Sequence, residues 1–304
     1  MNRHKQYIKN KSAFILSTAV FIFIALTSKA MFHSITLKNK TLTTISNNDE
    51  VKINANESQI TPSDTTFDLY LLIGQSNMSG RGPITKEFKD QGSPNVLMFN
   101  KDDKWVPAKN PLHFDKPSIV GVGPGLSFGI SMVKKNSRAK IGLISCAVGG
   151  TSIDVWKPGG IDGVTKTHPY DDMLARLKEA QKSGLLKGVI WLQGESDSSP
   201  EKAAMYLSKL KDLIERIRTV AGNDELPFVA GELGRYKAQY QNINAVLKHL
   251  PQQVSNTVVA SSKGLKDKGD KTHFDSPSAK KMGERMAKKM KQLQKKKTLL
   301  KRLE

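Results

Sequence analysis

The chain holds one cysteine in 304 residues, Cys146. No disulfide can form within it, so the core must stand on packing alone. Acidic residues are scarce, with 28 Asp and Glu against 48 Lys and Arg and a formal net charge of +20. Histidines number six, and no His, Cys, Asp or Glu falls in the close spacing of a metal-ligand set; the sequence therefore points to no metal and no cofactor. Gly121-Val122-Gly123-Pro124-Gly125 has the glycines of a phosphate loop but neither a following Gly-Lys-Ser/Thr nor the dinucleotide spacing, and reads as a tight turn. Long apolar runs are missing too. The one sustained run, Ala13 to Leu26, falls short of the roughly 20 residues that span a bilayer.

The positive charge is gathered at the ends. Residues 1–40 carry seven Lys or Arg and no acid, and residues 279–304 carry eleven against Glu284 and Glu304. Residues 41–278 hold 30 basic and 26 acidic side chains and are nearly neutral. A nucleic-acid binder carries its charge on the folded recognition surface, so this distribution excludes that class. Arg3, Lys5, Lys9 and Lys11 ahead of the apolar run, with Ser28-Lys29-Ala30 behind it, form the n-region, h-region and small-x-small site of a secretory signal peptide, or an uncleaved amino-terminal anchor given Lys29. The expected destination is outside the cell, the periplasm or the cell envelope. Residues 31–65 are rich in Thr, Asn, Ser and Lys and read as a flexible linker, 66–290 as the folded domain, and 291–304 as a Lys-rich tail. That tail reads as a solvated helix, with electrostatic attachment to a membrane or anionic envelope as the alternative.

The domain is organised around Phe67 to Gly82. Leu69 to Ile73 are continuously apolar, as in a parallel strand covered on both faces, and Gly74 then turns the chain so that Ser76 lies at the strand's carboxyl end. Further strands are read at Asn95–Asn100, near a sheet edge, and at Ile141–Ala147, Gly188–Leu192, Phe228–Gly231 and Thr257–Ala260. Helical spacing marks 126–133, 170–183, 201–221 closed by Gly222, and 236–249. A last helix is capped by Ser276, with Pro277 in its first turn, and packs through Met282 and Met286. Strands alternating with helices predict an α/β fold, a three-layer α/β/α sandwich of flavodoxin-like plan with a mostly parallel central sheet.

A serine at a strand end becomes a nucleophile only if a base takes its proton and a carboxylate orients the base. Of the six histidines, His4 and His33 precede the domain, His249 ends a helix, and His113 and His168 sit in proline-flanked loops without a nearby partner. His273 differs. Asp270-Lys271-Thr272-His273 follows the last strand, at the same sheet end as Ser76, and keeps acid and imidazole within one loop. Three donors for an oxyanion converge on strand ends: the N–H of Ser76, the N–H of Gly150 and the side-chain amide of Gln193. Gln75, Asn77 and Glu195 flank them as support, and Glu195 with Asp197 reads as a brace rather than a glycosidase pair. Cys146 reads as a buried inert thiol.

Two stretches carry a family resemblance. Gly74-Gln75-Ser76-Asn77-Met78-Ser79-Gly80-Arg81-Gly82 resembles the first block of the carbohydrate acetylesterases within the SGNH (GDSL-like) hydrolase superfamily, the group of sialate O-acetylesterases and carbohydrate esterase family six. Gly269-Asp270-Lys271-Thr272-His273-Phe274 resembles its last block, and the likeness runs from about Thr66 to Lys289. Gln75 stands where the superfamily usually has Asp, and Gln193-Gly194-Glu195 where it has Gly-x-Asn-Asp; both are variants of the acetylesterase branch. The resemblance implies a serine esterase with Ser76 as nucleophile, His273 as base and Asp270 as its orienter, with Ser76, Gly150 and Gln193 forming the oxyanion hole. It further implies a substrate of O-acetylated poly- or oligosaccharide, with xylan first and sialic acid esters second. The competing expectation is a non-catalytic carbohydrate-binding or surface-attachment protein on the same fold.

Overall fold

The computed structural model describes residues 67–133 and 140–300. The leader, the linker and the last four residues of the tail lie outside the described residues. The strands are β1 (Phe67–Gly74), β2 (Val96–Phe99), β3 (Trp105–Pro107), β4 (Ile141–Ser145), β5 (Gly184–Leu192), β6 (Phe228–Gly231) and β7 (Thr257–Ala260). They form one sheet in the order β3-β2-β4-β1-β5-β6-β7, antiparallel only between β2 and β3. The longer helices are α1 (Gly125–Met132), α2 (Pro169–Ala180), α3 (Pro200–Ala221), α4 (Tyr240–Leu247) and α5 (Ser276–Leu300).

β1 is central, and its alternation explains its unbroken apolar run. Leu69, Leu71 and Ile73 enter the core shared with α2, α3 and α4, whereas Tyr70 and Leu72 enter the one shared with α1 and α5. Each face is built around aromatic contact. Trp191 meets Trp156 edge-on at 5.3 Å on one side, and Tyr70 meets Phe128 at 5.2 Å on the other. α3 starts with the Ser199 side chain accepting the Lys202 N–H, has Pro200 in its first turn, and ends at Gly222 in the left-handed conformation.

β2 lies near the sheet edge as read, with one strand beyond it: the three-residue β3, in a stretch without periodicity, where Pro107 fits since an edge strand does not need its missing N–H. Three local readings change. β5 begins at Gly184, four residues before the expected Gly188, pairing with β1 through a register shift at Leu69/Tyr70. The helix expected over 236–249 is α4 followed by a separate turn, Leu250–Gln253. The Asn244 side chain bonds both N–H and C=O of Leu233, holding the chain ahead of α4 in a loop, and Pro251 lies in the first turn of the second segment. α5 is capped by Asp275, whose Oδ1 accepts the Ser278 N–H at 2.8 Å, while Ser276 Oγ turns away to the Pro83 carbonyl. Met282, Met286 and Met290 of α5 are buried, and the helix continues to Leu300.

Gly74 is where β1 hands over to the site, with φ +136 and a missing Cβ that would sit 2.2 Å from the Leu192 carbonyl oxygen. Gly74→Ala meets both a left-hand backbone penalty and an immovable backbone atom. We expect a loss of about 3 kcal/mol or more of stability in urea unfolding. A variant within about 0.5 kcal/mol of wild type would contradict this account of the turn.

Candidate active site

After Gly74, the Gln75 N–H donates to the Leu192 carbonyl at 3.0 Å and a single helical turn, Ser76–Ser79, begins. The turn stops Ser76 at the mouth of the sheet, at the carboxyl end of a strand flanked by β4 and β5. The chain progresses to opposite sides of β1 through these neighbours, the place where open α/β sheets form a crevice. Ser76 Oγ lies 3.0 Å from His273 Nε2, and His273 Nδ1 lies 2.7 Å from Asp270 Oδ2. The other oxygen, Asp270 Oδ1, accepts the N–H groups of Thr272 at 2.9 Å and His273 at 2.8 Å. Burial pushes the Asp270 carboxyl up, but those N–H bonds and the imidazole outweigh it and bring its pKa to about 2. An anionic Asp270 fixes the proton on Nδ1 and leaves the Nε2 lone pair facing the serine hydroxyl.

Asn77 secures this turn from the other side. Its Oδ1 accepts the Phe274 N–H at 2.9 Å, and its Nδ2 donates to the Thr272 carbonyl at 3.0 Å and to Glu195 Oε1 at 2.5 Å. Tyr236 adds a hydroxyl to the Thr272 carbonyl at 3.2 Å.

The Ser76 and Gly150 N–H groups meet no acceptor among the described residues. Gly150 has φ +88. Contacts on every side hold its turn, among them Val148 N–H to the Gly74 carbonyl at 3.0 Å, Gly149 N–H to Asp115 Oδ2 at 2.8 Å, Lys116 Nζ to the Gly149 carbonyl at 2.9 Å and Ser196 Oγ to the Gly150 carbonyl at 3.0 Å. Asp115 is itself paired with Arg81 at 2.9 Å, both side chains almost out of solvent. Burial raises the Asp115 pKa, and Arg81 with the Gly149 N–H lowers it further than that, so the carboxyl is held below its ordinary range. Asp115 and Lys116 escaped sequence reasoning, because their loop has no periodicity and their partners are 34 and 33 residues away.

Gln193 corrects an expectation. Its amide was to face the oxyanion, but it is wholly buried and points into the protein, with Nε2 at 3.0 Å from Gln75 Oε1, 3.0 Å from the Thr151 carbonyl and 2.5 Å from Asp197 Oδ2. Its Oε1 accepts the Tyr206 hydroxyl at 2.8 Å. Two N–H bonds among three acceptors leave none for substrate; Gln193 ties the exits of β1, β4 and β5 together. Asp197 completes the knot by accepting Ser152 Oγ at 2.5 Å and the Ile153 N–H at 2.9 Å. Gln75 is held by its oxygen alone, and its Nε2 has no acceptor among the described residues.

The other candidates fall elsewhere. His113 is buried, and burial lowers its pKa to about 4, so it stays neutral. His168 precedes α2, and His249 bonds Gln252. Cys146 is free and buried, its thiol pushed up to about 11 by burial. Among the described residues no group of three or more His, Cys, Asp or Glu could hold a metal ion, and no helix is long and apolar enough to cross a membrane.

Residues 66–292 match the family model described as carbohydrate esterase, sialic acid-specific acetylesterase. A probable carbohydrate esterase of Arabidopsis thaliana is 31% identical over 237 residues, covering 71% of this chain and 86% of that one. A solved Arabidopsis thaliana structure superposes with a TM-score of 0.65 at 29% identity, covering 74% of this chain and 98% of that one. The structure of NanS gives a TM-score of 0.58 at 16% identity, covering 76% and 98% of the two chains. A carbohydrate acetylesterase of Xanthomonas citri gives 0.57 at 17% identity, covering 74% of this chain and 56% of that one.

Proposed function

The chain belongs to the sialic acid-specific acetylesterase family of carbohydrate esterases, and from that premise we propose that it removes O-acetyl groups from carbohydrate by a serine mechanism with an acetyl-enzyme intermediate. It is a carboxylic ester hydrolase by family. The observation that carries the mechanism is the continuous path from Ser76 Oγ through His273 to Asp270. Ser76 Oγ attacks the acetyl carbonyl while His273 Nε2 takes its proton, and the carbonyl oxygen becomes an anion that the Ser76 and Gly150 N–H groups receive. The tetrahedral intermediate collapses with cleavage of the bond to the sugar oxygen, which leaves with the proton from His273. Water then gives its proton to the same imidazole, adds to the acetyl group, and acetate departs as Ser76 regains its hydrogen.

Acetylated polysaccharide such as xylan is the first substrate reading. Sialic acid O-acetyl esters are the second, favoured by the description of the matching family. The charged and apolar leader supports export or anchoring, and the Lys-rich carboxyl end supports contact with an anionic envelope or membrane. Acetate release by the purified protein from acetylated xylan, acetylated mannan and O-acetylated sialic acid tests the reading and ranks the substrates. Failure on all three would turn the search to other acyl esters.

A further inference from the structure

We infer that Glu195 is a positioning residue of this site, acting through Asn77 on the turn that carries His273. Glu195 opens the short turn Glu195–Asp197 that follows β5, and it reaches toward the triad by accepting the Asn77 Nδ2 hydrogen bond at 2.5 Å. Asn77 in turn holds the Thr272 carbonyl and the Phe274 N–H, the backbone groups on either side of His273. Any rotation of the Asn77 amide therefore moves the imidazole relative to Ser76 Oγ. A displacement near 1 Å at a reacting group costs on the order of 10²-fold in rate.

The strength of that hold depends on charge. Glu195 Oε2 is buried without a hydrogen-bond partner among the described residues. Burial is the chief reason its pKa rises to about 7, with the Asn77 bond opposing and Asp197 on the same turn adding to the rise. The other titratable groups facing it are the Tyr206 hydroxyl from α3 and the Tyr236 hydroxyl from the loop after β6, both pushed up by burial and neutral, with His273 beyond Asn77. Ionisation makes the Asn77 bond charge-assisted, roughly twice as strong as its neutral form. Asn77 is then clamped most firmly once pH rises above about 7 and Glu195 is ionised.

The test is Glu195→Gln, which keeps an oxygen for Asn77 but cannot ionise. It rests on the esterase reading, so each result is compared with wild type. At about pH 8, kcat should fall roughly 5- to 20-fold with KM changed less than about 2-fold, and the gap should close near pH 5. Stability supplies a readout separate from activity. A carboxyl with a raised folded pKa, here about 7 against an ordinary 4.5, stabilises the fold below the lower value and loses that contribution as pH rises through the higher one. Wild type should thus lose melting temperature between about pH 5 and 8 relative to Glu195→Gln. Glu195→Asp, ionisable but too short to reach Asn77, should keep the pH-dependent melting and lose kcat. Wild-type kcat at pH 8 in Glu195→Gln, or parallel melting profiles, would overturn the inference. Wild type inactive on every ester would sink the esterase reading instead, and the melting profiles would still decide the charge at Glu195.

Discussion

Ser76→Ala should lower kcat/KM for acetate release by roughly 10⁴-fold or more, with the fold intact. The size follows from what surrounds the hydroxyl. Among the described residues Ser76 Oγ is the one side-chain oxygen bonded to His273 Nε2, and the nearby Ser79 hydroxyl is directed to the Ala147 carbonyl. Among the described residues no second hydroxyl is bonded to His273 Nε2 to take over. The Ser76 and Gly150 N–H groups survive the substitution, so a trace of rate above water should remain, as when an oxyanion site acts without its nucleophile. Stability should change by less than about 1 kcal/mol, because the His273 ring is partly exposed and water can replace the lost bond. Intact-mass measurement after mixing with an activated acetyl ester should show an acetyl adduct on wild type and none on the variant. Equal turnover by both proteins would remove Ser76 from the chemistry and leave the non-catalytic reading of this site standing.

The parts of this site that could be read before the structure are those whose geometry is local. Ser76 follows a five-residue apolar run and a glycine, a pattern that marks a strand end whatever lies around it. Asp270 and His273 share one short loop, so their contact needs no distant element. β1 announces its double-sided burial by its lack of alternation, and the two separate cores on either face bear that out. What depends on tertiary contact was not readable. β3 is three residues long and ends in proline, so no periodicity betrays it. The carboxylate that holds the Gly149–Gly150 turn, Asp115, comes from a loop without pattern, and only the fold sets it against Arg81. Gln193 illustrates the harder case, since residue type and strand end were both right for a donor. The direction of its amide is set by three acceptors, two of them on other segments, that compete for two hydrogens.

Asp270→Asn should be nearly as damaging as loss of the nucleophile, by roughly 10³- to 10⁴-fold in kcat with little change in KM. The side chain keeps its shape but not its freedom. Asp270 Oδ1 accepts two backbone N–H groups, from Thr272 and His273, so in the variant the amide oxygen must stay there. That forces the Nδ2 group, a donor, against His273 Nδ1. The imidazole answers by accepting there and moving its proton to Nε2, which then presents a hydrogen rather than a lone pair to Ser76 Oγ. The base is present, in place and in the wrong tautomer. ¹⁵N chemical shifts of the His273 ring should report protonated Nδ1 in wild type and protonated Nε2 in the variant, at a pH where the ring is neutral. Wild-type Asp270, with its pKa held to about 2, remains an anion throughout the range where an imidazole titrates, so its own protonation does not limit the rate there. Activity above about a tenth of wild type in Asp270→Asn, with the Nε2 tautomer confirmed, would show that Ser76 is activated by some group other than His273.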